Sequence, residues 1–118
     1  MPLPEKNNRV IVTSALPYAN GDLHIGHLLE HVQTDIWVRL LRTNNIKCHY
    51  VCASDAHGTP IMLRAKELGT EPEKMVEEFR SSHIKDLQSF NISHDNFYTT
   101  HSDENKYFSE LIYKKAKE

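Results

Sequence analysis

Cysteine is scarce in this chain: Cys48 and Cys52 are the two thiols among 118 residues, four positions apart in "IKCHYVCAS". That stretch is rich in strand formers, and four strand residues span about 13 Å, too far for a disulfide or a shared metal ion. They read as buried strand thiols. No further Cys or Cys/His pair stands at zinc-site spacing, so no metal site is expected within the chain. Excess charge of either sign is lacking too, with 14 basic and 16 acidic residues and a formal net charge of −2. There is no electrostatic footprint for nucleic acid, and any RNA would be gripped by segments other than these. No apolar run approaches the roughly 20 residues that span a bilayer, and "MPLPEKNNR" lacks the apolar core of a signal peptide. The expectation is a cytoplasmic protein with no membrane partner. At this length the chain is one domain at most, long enough to bury a core but short for a complete enzyme with several substrates.

What is present alternates between strand and helix. After a polar, flexible leader over 1–8, "RVIVTSA" (9–15) is a β-branched run without alternation, as expected of a central strand buried on both faces of a parallel sheet. "LPYANGD" breaks it with Pro17, Asn20 and Gly21. From about His24, Leu28, Leu29, Val32, Ile36 and Leu40 recur at helical spacing as far as Asn44 and Asn45, which predicts a long amphipathic helix with Trp37 packed on it. "IKCHYVCAS" (46–54) predicts a second strand, ended by the polar "SDAHGTP". Gly58, Thr59 and Pro60 open a helix over about 60–68 that Gly69 closes. Thr70 and Glu73 form a capping-box pair, with Pro72 in the first turn, for a helix over about 72–90 whose stripe is Val76, Phe79, His83, Leu87 and Phe90. "DNFYTT" (95–100) predicts a third short strand, and Ser102 caps a last helix carrying Tyr107, Leu111 and Ile112. Such alternation implies βαβ units with right-handed crossovers. The closing "LIYKKAKE" has no Gly or Pro terminator, so 9–118 is expected to be a truncated part of a larger domain, with an exposed apolar edge.

Open parallel sheets bind ligands beyond the carboxyl ends of their strands, where helix N-termini present free N–H groups. The two unusual loops, "ALPYANGDLHIGH" and "SDAHGTP", fall in that place. The first crowds His24, His27 and His31 onto a helix start, where the dipole is positive and a cationic imidazole is least favoured. Gly26 costs the helix about 1 kcal/mol relative to Ala, and its bare backbone lets a flat ligand lie close. His24 and His27, at i and i+3, place their Cβ atoms roughly 5 to 6 Å apart on one face. Two imidazole N–H donors in a positive corner suit a polyphosphate. The competing readings are a zinc trio of His24, His27 and His31, opposed by the dipole and by the lack of any acidic ligand but Glu30, and a solvated histidine face. His31 itself reads as peripheral. Gly21 reads as a loop glycine at positive φ. Asp55 is either an N-terminal stabiliser of the next helix or a partner for a cationic ligand group. His83 reads as a core or boundary histidine, whereas His49, His94 and His101 carry no pattern.

His24-Ile25-Gly26-His27 is the HIGH signature of class I aminoacyl-tRNA synthetases. Around it, "VTSALPYANGDLHIGHLLEHVQTDIWVR", "ASDAHGTPIMLRAKELG" and "FNISHDNFYTTHS" closely resemble the methionyl-tRNA synthetase family, over nearly the whole chain from about Arg9. The resemblance implies an α/β fold, a Rossmann-like parallel sheet with flanking helices, forming the N-terminal part of the catalytic domain. It implies activation of L-methionine by ATP, with Mg2+, to methionyl-adenylate, and transfer to methionine tRNA. His24 and His27 would contact the ATP phosphates and act catalytically as preorganised donors, without a covalent enzyme intermediate. Asn20, Gly21, Gly26 and Glu30 would complete the ATP site, with Gly26 admitting the adenine and ribose and Glu30 orienting the nucleoside end. Ala15, Leu16, Tyr18 and Asp55 would bind methionine, Leu16 through its backbone, Tyr18 through its ring and Asp55 through the ammonium group. An apolar, polarisable pocket suits a thioether.

Ser54 departs from the acidic residue of some relatives. A Lys-Met-Ser-Lys-Ser-type loop, the zinc-bearing insertion, the second half of the Rossmann domain and the anticodon-reading helical domain are all missing from these 118 residues. Implied partners therefore include the remainder of the catalytic domain, with tRNA contacts mostly outside this chain and any family zinc in the insertion. Two functions follow: the HIGH half of a methionine–tRNA ligase, or a nucleotide-binding or pseudo-synthetase module without ligase activity. A nucleotidyltransferase with an HxGH-type phosphate corner is a weaker third.

Overall fold

In the computed structural model, which describes residues 3–5 and 8–118, three strands alternate with four helices. In chain order these are β1 (Arg9–Val12), α1 (Ile25–Thr43), β2 (Lys47–Ser54), α2 (Thr59–Leu68), α3 (Pro72–Ser89), β3 (Asn96–Thr99) and α4 (Asp103–Lys117). Met1, Pro2, Lys6 and Asn7 of the expected leader lie outside the described residues. The strands form an open, all-parallel, Rossmann-like sheet in the order β1-β2-β3. β2 serves as its spine. Its first half pairs with β1, from Arg9 opposite Lys47 to Val12 opposite Tyr50, and its second half with β3, from Val51 opposite Asn96 to Ser54 opposite Thr99.

The expectation of a central first strand is corrected: among the described residues β1 is an edge, and Ile11 at its middle is 75% exposed. One sheet face is well covered. Val38 of α1, Tyr50 of β2, Leu87 of α3 and Ile92 form a core there, with Val12, Leu28, Val32, Cys48 and Phe97 packed against it. A second core joins Ile61 and Ala65 of α2 to Met75 and Val76 of α3 and to Ala19 and Ala56 of the two loops. On the other sheet face His49 and Tyr98 are exposed and Val51 and Ala53 only half-buried. Parallel sheets normally bury both faces. The one-sided packing gives a slab of 50 × 44 × 20 Å with a radius of gyration of 16.5 Å, against about 13.5 Å for a domain of this length. No residue of α4 is buried, and Tyr107, Phe108, Ile112 and Tyr113 stand exposed on it.

α1 begins and ends where expected, but its face is turned. Leu29, Ile36 and Leu40 are exposed, whereas His31, Asp35, Val38 and Leu41 point inward. Leu28 and Val32 of the expected stripe do pack on the core, but the apolar count missed two inward positions that are polar and satisfied. The Asp35 carboxylate accepts from Ser93 N–H at 2.7 Å, from Ser93 Oγ and from Arg39 Nε. Burial pushes its pKa up, but the Ser93 and Arg39 hydrogen bonds outweigh burial and hold it below the ordinary value.

The expected Thr70 and Glu73 capping box does not form: Glu71 is the N-cap of α3, with no side-chain cap bond, and Pro72 opens the helix. Thr70 is already committed. Gly69 ends α2 in the left-handed conformation, φ 65°, and Thr70 N–H returns to Ala65 O at 3.0 Å to close that helix. Phe90 ends the predicted stripe but is exposed, and Met75 takes a buried place instead. Ser102 does cap α4, its Oγ accepting from Asn105 N–H at 3.1 Å. Cys52 is buried and Cys48 half-buried, both as free thiols on β2. No helix among the described residues is long and apolar enough to cross a membrane.

Candidate active site

After β1 the chain leaves the sheet at Thr13 and rejoins it at Tyr18, which forms a parallel bridge with Asp55 just beyond β2. Asp55 N–H donates to Pro17 O and Ala19 N–H to Asp55 O, each at 2.9 Å. This lashing brings the two predicted loops together at the carboxyl end of the strands. Ala15 and Leu16 ride on the exposed bulge between, while Tyr18 packs against the second core and donates its hydroxyl to His57 O at 3.0 Å. Gly58 makes that approach possible, because a Cβ there would lie 2.8 Å from the Tyr18 hydroxyl and its φ is 119°. Gly58 is also the N-cap of α2, without a side-chain bond, so Asp55 does not cap that helix. Among the described residues the half-buried Asp55 carboxylate has no hydrogen-bond or ion-pair partner.

His24 is the N-cap of α1, in extended conformation, and the helix start is closed by imidazoles where Ser and Glu usually serve. His24 Nδ1 accepts from Gly26 N–H at 3.1 Å, and His27 Nδ1 accepts from His24 N–H at 3.2 Å. An Nδ1 that accepts carries no proton, so both neutral rings hold theirs on Nε2. The rings stack at 3.7 Å between centroids and 29° between planes. Burial, then the neighbouring His24 and His83, push the pKa of His27 down against the pull of Glu30. Gly26 has a local reason to lack a side chain: a Cβ would sit 3.0 Å from Cε1 and Nδ1 of His24. The corner thus presents two fixed, uncharged donors.

His83, fully buried on α3, holds the loop from behind, its Nε2–H donating to Gly21 O at 2.7 Å. The positive φ expected of Gly21 is not found; Gly58 and Gly69 are the glycines that use it. Asn20 N–H bonds Tyr18 O at 2.9 Å, which keeps the turn tight. Glu30 stands one turn along α1 and its carboxylate accepts from Ala15 N–H, so it braces the bulge. His31 is corrected from peripheral to core, at 1% exposure. Its Nδ1 lies 3.0 Å from Ser14 Oγ, which also lies 3.2 Å from the Tyr50 hydroxyl and 3.5 Å from Cys52 Sγ. Sequence reasoning passed over Ser14, and also His57, whose Nδ1 lies 3.3 Å from Thr100 Oγ1 and whose Nε2 lies 3.2 Å from His101 Nδ1. These last residues line a cavity of about 750 Å³ at the start of α4. The only signal for them was their place after a strand end.

A sequence model described as tRNA synthetases class I (M) matches residues 10–118. The chain belongs to the class I aminoacyl-tRNA synthetase family. Among solved structures it is similar to Mycobacterium tuberculosis methionyl-tRNA synthetase bound by methionyl-adenylate, with 25% identity, a TM-score of 0.79 and coverage of 81% of this chain and 19% of that one. A second structure of that synthetase with methionyl-adenylate gives 24% identity, a TM-score of 0.78 and the same coverages. This synthetase chain therefore spans about a fifth of the length of those relatives. Its paired histidines at the start of α1 and its Asp55 just beyond β2 lie at the carboxyl end of the strands.

Proposed function

We propose that this chain carries the phosphate-handling half of a methionine–tRNA ligase site, which activates L-methionine with MgATP and passes methionyl-adenylate to methionine tRNA. One observation carries the reading: backbone bonds hold both Nδ1 atoms of His24 and His27, which leaves two Nε2–H donors at the positive end of α1. ATP phosphates take those donors, with Gly26, Asn20 and Gly21 bordering the nucleotide. The methionine carboxylate attacks the α-phosphorus and pyrophosphate leaves. Charge building on the phosphoryl oxygens meets donors already in place, so little reorganisation is needed in the transition state.

Methionine lies against Ala15, Leu16 and Tyr18, with its ammonium group on the Asp55 carboxylate. Glu30 orients the nucleoside end, and its carboxylate also braces Ala15. Transfer to tRNA, and the cytoplasmic setting it requires, belong to the same reading and draw on protein beyond these residues. The test is methionine-dependent ATP–pyrophosphate exchange together with equilibrium titration by methionine and methioninol, which share the ammonium group. Asp55→Ala should weaken both ligands equally; unchanged affinities would remove Asp55 from the site. The second reading is nucleotide binding without ligase activity, and ATP binding with no exchange would select it.

A further inference from the structure

His31, Cys52 and His94 come from α1, β2 and the connection between α3 and β3, yet their ligand atoms lie within 4.8 Å of one another. His31 and Cys52 are buried, and His94 is half-buried with its Nε2 out of reach of solvent and without a hydrogen-bond partner among the described residues. A buried ring nitrogen with nothing to bond is costly and calls for an explanation. Packing fixes the ring, which lies 4.2 Å from the Tyr50 ring and meets that of His31 edge-on at 5.4 Å. Ser14 Oγ stands beside two of the three groups, 3.0 Å from His31 Nδ1 and 3.5 Å from Cys52 Sγ. Outer partners of metal-binding histidines do the same work of holding ring orientation.

We propose that His31, Cys52 and His94 form a binding site for zinc. Two imidazoles and a thiolate suit zinc and disfavour magnesium or calcium, which prefer oxygen ligands. Bond lengths of about 2.0 Å to nitrogen and 2.3 Å to sulfur place tetrahedral donors roughly 3.3 to 3.6 Å apart, so the cluster closes by shifts of about 1.5 Å or less. Binding expels the Cys52 proton to solvent and leaves one net positive charge, with Glu30 and Asp35 near enough to act on these histidines. The sequence expectation of no metal site rested on spacing along the chain, and these ligands are gathered by the fold. The ion would tie α1, one turn beyond His27, to the middle strand and to the connection before β3. The site stands independently of the ligase reading.

The test uses the chain stripped with chelator and confirmed folded by circular dichroism, then titrated with Co2+ as a spectroscopic probe. One equivalent should bind with a thiolate-to-cobalt charge-transfer band and the strong visible bands of a tetrahedral ion, and Zn2+ should displace it. Cys52→Ser should abolish the charge-transfer band, His94→Phe should weaken Co2+ binding by about tenfold or more, and Cys48→Ser, on the same strand face, should change neither. X-ray absorption at the zinc edge of the unaltered protein needs no variant to fold and should show one sulfur and two imidazole ligands. No stoichiometric uptake, a band that survives Cys52→Ser, or a zinc shell without sulfur would each overturn the site.

Discussion

Two pairs of histidines lie close to one another in the fold and live under opposite rules. His24 and His27 stand at the start of α1, each Nδ1 held by a backbone N–H so that the ring proton is left on Nε2. His31 and His94 lie beneath them against Tyr50 and Cys52, where burial holds both pKa values down, that of His94 to about 4. Burial, then the neighbouring His24 and His83, lowers the pKa of His27, and burial is the largest cause that lowers those of His31 and His94. The contrast separates what the molecule uses from what holds it together. Changes to the exposed pair should cost chemistry and little stability, and changes to the buried pair the reverse.

The sharpest way to break that contrast is His27→Ala. Adenylate formation should slow by about 2 to 4 kcal/mol of activation free energy, while the urea midpoint moves by no more than the loss of a cap, about 1 kcal/mol. Comparable losses of methionine affinity would contradict the phosphate role. Acid should strike the buried pair next. Their folded pKa values lie below the unfolded value of 6.5, so the unfolded metal-free chain takes up protons first. Stability is then complete above pH 6.5 and falls as pH drops toward 4, by about 2 to 3 kcal/mol for His94. Urea unfolding at pH 7, 5 and 4 measures this, and His94→Phe should flatten the profile.

Ser14→Ala strips partners from His31 and Tyr50 together and should cost about 1 to 3 kcal/mol in the same assay. Arg64→Gln marks the floor. Its ion pair with Glu67, 3.1 Å long on an exposed helix face, should be worth less than about 0.5 kcal/mol. A larger loss there would mean that exposed polar contacts matter to this fold as buried ones do.

The exposed pair was legible because its meaning is local. His24 and His27 stand three positions apart with Gly26 between them, and the helix start, the Asn44-Asn45 stop, the Gly69 cap and the Ser102 cap are all written within a turn of where they act. The buried set is written across the chain: Ser14 meets His31 from 17 positions away and Cys52 from 38. No window along the sequence contains both. The α1 face was misjudged for a related reason, since His31 and Asp35 point inward only because Ser14 and Ser93 await them. β1 was taken as central because Val10-Ile11-Val12 is apolar throughout, but the described residues cover only one of its faces. The Thr70 and Glu73 box failed because α3 starts one residue later, with Glu71 as N-cap, and because the Thr70 N–H that Glu73 would accept from already closes α2.

The most direct test of the central claim is calorimetric titration of this chain with MgATP, beside the His24→Ala/His27→Ala double variant. The account predicts saturable binding by the unaltered chain that the folded double variant loses. Absence of binding by the folded unaltered chain, or equal affinity in both, would contradict it.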